Sequence, residues 1–168
     1  MSSRAAVGDL GIHLATGVVG VVYPASRLRA YRVNARVLTR DPPSINAVGA
    51  LSRYFKIDPA DLLIVVDEVQ LPLGRLRVRT RGSAGGHNGL KSVIAHLGEE
   101  FARLRIGVGR GDNRRDLADH VLARFESDEA AEVERMMTRA ADAAEMFNTA
   151  GIAAVMNQFN GGDPATTE

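Results

Sequence analysis

A glycine-rich loop leading into a helix contains the residue types in this sequence that are best suited to chemistry. Residues 81–98 read RGSAGGHNGLKSVIAHLG and include five glycines. Glycine leaves backbone amides uncovered and permits unusual backbone angles, and the N-terminus of a helix offers free N–H groups to an anion. We predict a helix from about Gly89 to His96, with His87 and Asn88 at the exit of the loop and Asn88 as its N-cap.

The glycine spacing excludes the two common phosphate-binding motifs. A P-loop requires Gly-Lys-Ser/Thr in succession, whereas residues 89–92 read GLKS. The dinucleotide fingerprint fails as well, because the glycines at 82, 85, 86 and 89 have the wrong spacing. The loop is therefore not a generic nucleotide cradle.

Asp67 follows an apolar run, Leu62–Val66, that has the length and composition of a strand covered on both faces. In open α/β sheets the ligand crevice lies outside the carboxyl ends of the strands, so a carboxylate at this position is well placed for function. The alternative is an ordinary strand-end acid that caps a nearby loop.

Neither a metal site nor a disulfide is predicted. The chain has no cysteine, and its four histidines are His13, His87, His96 and His120. No two of them have the helical spacing of a zinc protease, and no carboxylate–histidine cluster is evident. His96 and His120 fall on predicted helices, where a surface or packing role is expected.

Positive charge is concentrated in the middle of a chain whose net charge is only +1. Residues 75–115 contain ten Lys or Arg side chains and three acids, and residues 116–145 are rich in acids. This distribution indicates one face for a polyanion. The alternative is a set of solvated strand edges and helix faces.

Hydrophobic periodicity and turn residues predict alternating strands and helices between residues 7 and 159. The predicted strands are 32–39, 62–66, 75–81 and 101–108, and the predicted helices are 7–19, 45–55 (capped by Ser44), 89–96, 117–125, 128–151 and 152–159. Such alternation favours a three-layer α/β fold. We expect one domain over residues 1–160 and a disordered tail over 161–168.

A cytoplasmic protein is expected. No stretch approaches the roughly 18–20 uncharged apolar residues of a membrane span. The first residues make a weak signal peptide, because Asp9 and His13 interrupt the apolar run.

Six segments of the sequence resemble the bacterial peptidyl-tRNA hydrolase family. They are INAVG at 45–49, DLLIVVDEVQLPLGRLR at 61–77, GSAGGHNGLKSVIAHLG at 82–98, RLRIGVGR at 103–110, ADHVLARF at 118–125 and GIAAVMNQFN at 151–160. The second and third are highly specific. The resemblance implies a single-domain α/β/α sandwich with a mixed, mostly parallel sheet. It also implies hydrolysis of the ester between a peptide and the 3′ ribose of tRNA, by a monomer without metal or cofactor.

The resemblance also implies roles for particular residues. Asp67 matches an aspartate that orients the catalytic histidine, and Asn46 and Asn88 match asparagines that position the substrate carbonyl and the water. Arg79 and Arg105 match basic positions that clamp a tRNA phosphate, where a bidentate guanidinium is apt. Ser44 stands at the position of an aromatic that stacks on the 3′ end of the substrate.

The first residues depart from the family pattern. The family begins with a strand and an asparagine-containing turn, neither of which is evident here. It then has a Thr-Arg-His-Asn-x-Gly motif, whose nearest counterpart is Ser-Arg-Ala-Ala-Val-Gly at 3–8. Ala5 therefore occupies the position of the general base, and Val66 replaces a common histidine before Asp67.

Two classes of function follow. The first is an ester hydrolase acting on peptidyl-tRNA, impaired because a missing general base typically costs about 10²–10⁴-fold in rate. The second is a non-catalytic module that binds tRNA or its acceptor stem through Arg79, Arg105 and the glycine loop, and a relic of the family with neither role is a third alternative.

Overall fold

A five-stranded mixed sheet with helices on both faces forms the fold in a computed structural model, which describes residues 18–22, 37–38, 48–50, 52–54, 56–110 and 125–161. The strands are β1 Val18–Val22, β2 Val37–Leu38, β3 Leu63–Glu68, β4 Leu76–Arg79 and β5 Ala102–Gly107. The helices are α1 Asn88–Leu97 and α2 Ala130–Phe159, with a 3₁₀ turn at Pro59–Asp61 and helical backbone at 48–50 and 52–54.

The strand order is β2-β1-β3-β5-β4, and only the β3–β5 pair is parallel. The α/β class and the mixed sheet are confirmed, but "mostly parallel" is wrong for the described strands. A parallel neighbour requires a crossover of about a dozen residues or more. The chain between Glu68 and Leu76 is shorter than that, so β4 reverses direction and leaves room for β5 to return between β3 and β4.

β3 is the buried centre of the sheet, as its continuous apolar run predicts. One face packs on a core shared with α2, and the other packs on a core shared with α1. The first core contains Leu63, Val65, Leu76, Val78, Ala102, Leu104, Ile106, Met136, Ala140, Ala143, Ala144, Phe147, Val155 and Phe159. The second contains Val48, Leu62, Ile64, Val66, Leu90, Val93 and Phe101. The three-layer arrangement is therefore confirmed.

The long helix predicted at 128–151 and the short helix predicted at 152–159 form one element with a break. α2 loses helical geometry at Gly151, where φ is 79°. Positive φ is accessible to glycine at little cost, so the chain turns there and continues to Phe159. The strands predicted at 62–66, 75–81 and 101–108 and the helix predicted at 89–96 are also present.

The N-terminal predictions differ most from the structure. Val18–Val22 forms a strand antiparallel to β3, not the end of a helix over 7–19. Its sequence, VVGVV, is rich in β-branched residues that suit a strand. A strand therefore does pair with β3 on the side opposite β5. Residues 7–17, 32–36, 39, 45–47, 51, 55, 117–124 and 162–168 of the predicted elements lie outside the described residues.

Asn160 covers part of the outer edge of β4, the last strand of the described sheet. Its Oδ1 accepts from the Val78 N–H at 2.7 Å, and its Nδ2 donates to the Val78 carbonyl at 3.1 Å. Unpaired edge groups promote association with other strands, so this side chain both satisfies and shields the edge. Among the described helices, none is long and apolar enough to cross a membrane.

We expect Asn160→Ala to lower the free energy of unfolding by about 1–3 kcal/mol, because two hydrogen bonds to a buried residue are lost. Urea denaturation measures the change. Asn157→Ala, at an exposed position of the same helix, is the matched control and should stay within about 0.5 kcal/mol of the parent. Equal losses in the two variants would contradict the role of Asn160.

Candidate functional site

Asp67 and His87 meet at the end of β3. His87 Nε2 lies 3.1 Å from Asp67 Oδ1, the Asp67 side chain is 7% exposed, and the His87 side chain is 21% exposed. Asp67 lies near the end of β3, and His87 is the last residue of the loop before α1. A buried carboxylate requires a polar partner, and His87 supplies it.

The hydrogen bonds of His87 define which ring nitrogen carries the proton. The Leu90 N–H donates to His87 Nδ1 at 3.1 Å, so His87 is the N-cap of α1. A nitrogen that accepts carries no proton, and in the neutral ring the proton is therefore on Nε2 and points to Asp67. Both nitrogens are thus occupied. The prediction that Asn88 is the N-cap is wrong, because Asn88 is the first residue of the helix proper.

The glycine loop brings His87 into place through a tight turn. The His87 N–H donates to the Ala84 carbonyl at 2.9 Å, and Gly85 and Gly86 between them have φ values of 56° and 90°. Residues with a Cβ rarely adopt such positive φ values. The predicted use of the glycines, which is close backbone approach, corresponds to this turn.

A group of four arginines lies beside this pair on one face of the sheet. In the antiparallel register of β4 and β5, Arg77 is opposite Arg105 and Arg79 is opposite Arg103. Arg77 and Arg79 are exposed, whereas Arg103 is fully buried. This is the α1 face, and it accounts for part of the basic middle of the sequence.

Arg105 connects the arginines to the Asp67 side of the site. Its Nη1 donates to Glu68 Oε2 at 2.9 Å, and its side chain is 23% exposed. Glu68 Oε1 accepts from the Gln70 N–H, so both of its carboxylate oxygens are engaged. An ion pair of this kind orients a guanidinium and leaves part of its fork exposed.

Only some of the predicted site residues lie in the described part of the chain. Asp67, Arg79 and Arg105 are described, and the backbone of Asn88 places it directly after His87. Ala5, Ser44 and Asn46 lie outside the described residues, so their convergence on Asp67 stays a prediction. Among the described residues, no group of three or more His, Asp or Glu side chains forms a potential metal site.

Sequence reasoning missed the engagement of His87 with Asp67, the role of Glu68 and the burial of Arg103. The sequence signal for Glu68 was its place next to Asp67 at the end of a buried strand. For Arg103 the signal was its alternation with apolar residues in a strand, which predicts a face and says nothing about what covers that face.

Comparison with known proteins identifies the family of the chain. The family model described as peptidyl-tRNA hydrolase matches residues 43–167. The chain belongs to the peptidyl-tRNA hydrolase family.

Two relatives illustrate the extent of the similarity. Over 115 residues the chain is 51% identical to a peptidyl-tRNA hydrolase of Synechococcus sp., covering 68% of this chain and 51% of the relative. Over 116 residues it is 47% identical to the peptidyl-tRNA hydrolase of Chloroflexus aggregans, covering 68% of this chain and 62% of the relative. The matched part thus spans about half to three-fifths of the length of these relatives.

Solved structures share the fold. The crystal structure of peptidyl-tRNA hydrolase from Acinetobacter baumannii superposes with a TM-score of 0.69 at 27% identity, covering 94% of this chain and 84% of that one. A peptidyl-tRNA hydrolase crystallised with N-propanol gives a TM-score of 0.70 at 27% identity, covering 96% of this chain and 83% of that one.

The two described histidines of this peptidyl-tRNA hydrolase family member are expected to adopt opposite neutral tautomers. His87 should carry its proton on Nε2 because Leu90 donates to Nδ1. His96 Nδ1 lies 2.8 Å from the Ser92 carbonyl, which can only accept, so His96 should carry its proton on Nδ1. Two-bond ¹H–¹⁵N correlation spectra, recorded where both rings are neutral, distinguish the tautomers. A proton on Nδ1 of His87 would contradict the N-cap geometry.

Proposed function

We propose that this chain binds peptidyl-tRNA and hydrolyses the ester between peptide and tRNA at a reduced rate. The observation that carries the proposal is the pairing of the buried Asp67 with the partly buried His87, beside the arginines of β4 and β5. A polar centre next to a cationic surface suits an ester whose alcohol component is a polyanion. Membership of the peptidyl-tRNA hydrolase family supports the same substrate.

The reduced rate follows from the missing general base. General-base catalysis of ester hydrolysis requires a group with a free lone pair that accepts the proton of the attacking water. Ala5 stands at the position where the family pattern has its catalytic histidine, and alanine has no such group. His87 does not replace it in the described geometry, because Nδ1 accepts from Leu90 and Nε2 faces Asp67.

The remaining residues are assigned to binding and positioning. Asp67 orients the imidazole beside it, and Asn46 and Asn88 hold the substrate carbonyl and the water. Electrostatic positioning of this kind retains part of the rate enhancement when a base is absent, as triad variants of other hydrolases illustrate. We therefore assign the chain slow turnover.

Arg79 and Arg105 are assigned to a tRNA phosphate. Arg79 is exposed on the edge strand, and Arg105 is held by Glu68 at 2.9 Å with part of its side chain at the surface. They lie on adjacent strands of the same sheet face, two residues apart in register. A planar guanidinium suits bidentate contact with phosphate oxygens.

A second candidate is a tRNA-binding module without hydrolytic activity. The occupied nitrogens of His87 favour it, since they leave the described part of the site without a free imidazole lone pair. Binding through the arginines does not require a base. The two candidates therefore share a substrate and differ in turnover.

The deciding experiment is single-turnover release of peptide from an N-blocked aminoacyl-tRNA by the parent, Ala5→His and Asp67→Asn chains. We expect slow release by the parent and a gain of about 10²–10⁴-fold in Ala5→His, because a general base is restored. Asp67→Asn should fall below the parent.

Tight tRNA binding without release by the parent, together with release by Ala5→His, would favour the binding module. Release by the parent at the rate of its relatives would contradict the impaired mechanism. Neither binding nor release by the parent and Ala5→His would overturn the proposed function and favour a relic.

Removal of either assigned phosphate contact should weaken tRNA binding and its salt dependence. Arg79→Ala and Arg105→Ala are each expected to reduce the slope of log K against log salt by roughly 1, because one fewer phosphate is neutralised. Filter binding at several salt concentrations measures the slope. Arg135→Ala, on α2 at the opposite face of the sheet, is the matched control. An unchanged slope in the β4 and β5 variants would contradict the phosphate assignment.

A further inference from the structure

Arg103 is a fully buried cation on β5, beneath the glycine loop that leads to the candidate site. Its side chain is 0% exposed, and the guanidinium lies 4.5 Å from the centre of the Phe101 ring. Burial lowers the pKa of Arg103, the neighbouring charge of Arg105 lowers it further, and Glu99 acts in the opposite direction. A buried charge is costly unless hydrogen-bonding partners compensate it.

The partners of Arg103 are main-chain carbonyls. Nη1 donates to the Gly82 and Ser83 carbonyls, the latter at 3.0 Å, and Nη2 donates to the Glu99 carbonyl at 3.2 Å. None of the described carboxylates forms an ion pair with this guanidinium. The Arg103 guanidinium therefore constrains the main chain at Gly82, Ser83 and Glu99.

These carbonyls stand on either side of the segment that contains His87. Gly82 and Ser83 open the glycine loop, and Glu99 follows Gly98, the residue that ends α1. The planar guanidinium of Arg103 thus joins the start of the glycine loop to the end of α1. Arginine is suited to this role because its donors are fixed in one plane, whereas the donors of lysine rotate about a point charge.

The constraint is passed from the carbonyls to His87 through planar peptides. Because the Ser83 carbonyl points to Arg103, the Ala84 N–H in the same peptide plane points away from it. Ala84 then accepts from the His87 N–H at 2.9 Å and closes the turn over Gly85 and Gly86. The orientation of the Ser83–Ala84 peptide therefore sets where His87 meets Asp67.

We infer that Arg103 is a positioning residue, which holds the glycine loop so that His87 faces Asp67 and caps α1. The inference rests on the proposed function for its catalytic consequence, while its structural consequence does not depend on any substrate. Arg103 has no hydrogen bond to Asp67 or His87 and acts through the Gly82, Ser83 and Glu99 carbonyls.

The experiment compares the parent with Arg103→Lys and Arg103→Met. Arg139→Lys is the matched control, because Arg139 also donates to a main-chain carbonyl, that of Gly74 at 3.3 Å. We expect Arg103→Lys to lose the Nε2–H tautomer signature of His87 and to accelerate hydrogen exchange at the His87 and Leu90 amides by at least roughly tenfold, since a tenfold change corresponds to a small shift in local opening. The control should leave both unchanged.

The catalytic consequence is measured in the Ala5→His background, where turnover is expected to be faster. Arg103→Lys should lower kcat by about 10²-fold with KM within about twofold, because misplacement of about 1 Å has an effect of this size. If Ala5→His neither binds nor cleaves substrate, the proposed function fails, and the tautomer and exchange data still decide the role of Arg103.

Two results would overturn the inference. One is an Arg103→Lys chain that keeps the parent tautomer and exchange rates but has lower global stability. That result would indicate a purely structural role for Arg103. The other applies even if both variants fail to fold. In the parent chain the guanidinium protons of Arg103 should give separate, slowly exchanging NMR signals, because three carbonyl bonds hold the group. Rapid averaging of those signals would refute the clamp without any substitution.

Discussion

The parallel pairing of β3 with β5 is the interaction on which the rest of the structure depends. It is the only parallel pair among the described strands, and it aligns Val66 with Arg105 and Asp67 with Ile106. The carboxyl ends of parallel strands meet at one edge of a sheet, where ligand crevices form. Asp67 and Glu68 therefore end β3 beside the arginines of β5, although almost forty residues of sequence separate them.

Apolar burial fixes this pairing, and polar contacts then complete the site. β3 packs between two cores, so a slip of one residue would move its apolar side chains to the wrong face. Three buried or partly buried side chains of the site then have specific partners, although the Nε atoms of Arg103 and Arg105 have none. Asp67 contacts His87, Arg105 contacts Glu68, and Arg103 contacts main-chain carbonyls. Because unsatisfied buried groups are costly, these contacts make the site preorganised.

The departures from the family pattern fall both inside and before the matched part of the chain: Ser44 and Val66 lie within it, and Ala5 lies before it. The match to the peptidyl-tRNA hydrolase model begins at residue 43 and includes Asp67, the glycine loop and the arginines. Ala5 and Ala6, which we assign to the histidine and asparagine positions of the family pattern, precede the match. Asp67, Asn88, Arg79 and Arg105, which are assigned to positioning and binding, lie within the match, whereas the proposed loss of proton transfer concerns Ala5. This division is the physical basis for separating binding from turnover.

The sequence by itself determined the elements whose patterns are local. The continuous apolar run of β3, the alternation in β4 and the apolar stripe of α2 were each predicted, because burial on one or two faces leaves a periodic record. The sequence also showed that Asp67 lies at a strand end and that the glycine loop resembles the family motif.

Only the tertiary structure decided how these pieces meet. Strand direction depends on which connections are long enough to cross over, so the mostly antiparallel pairing was not predicted, and neither was β1 at Val18–Val22. The choice of His87 over Asn88 as N-cap depends on a loop conformation fixed by Arg103, which is distant in sequence. Periodicity placed Arg103 and Arg105 on one face, but their different burial follows from what packs above that face. Contacts between distant residues leave no periodic signal in a single sequence, and the site is made of such contacts.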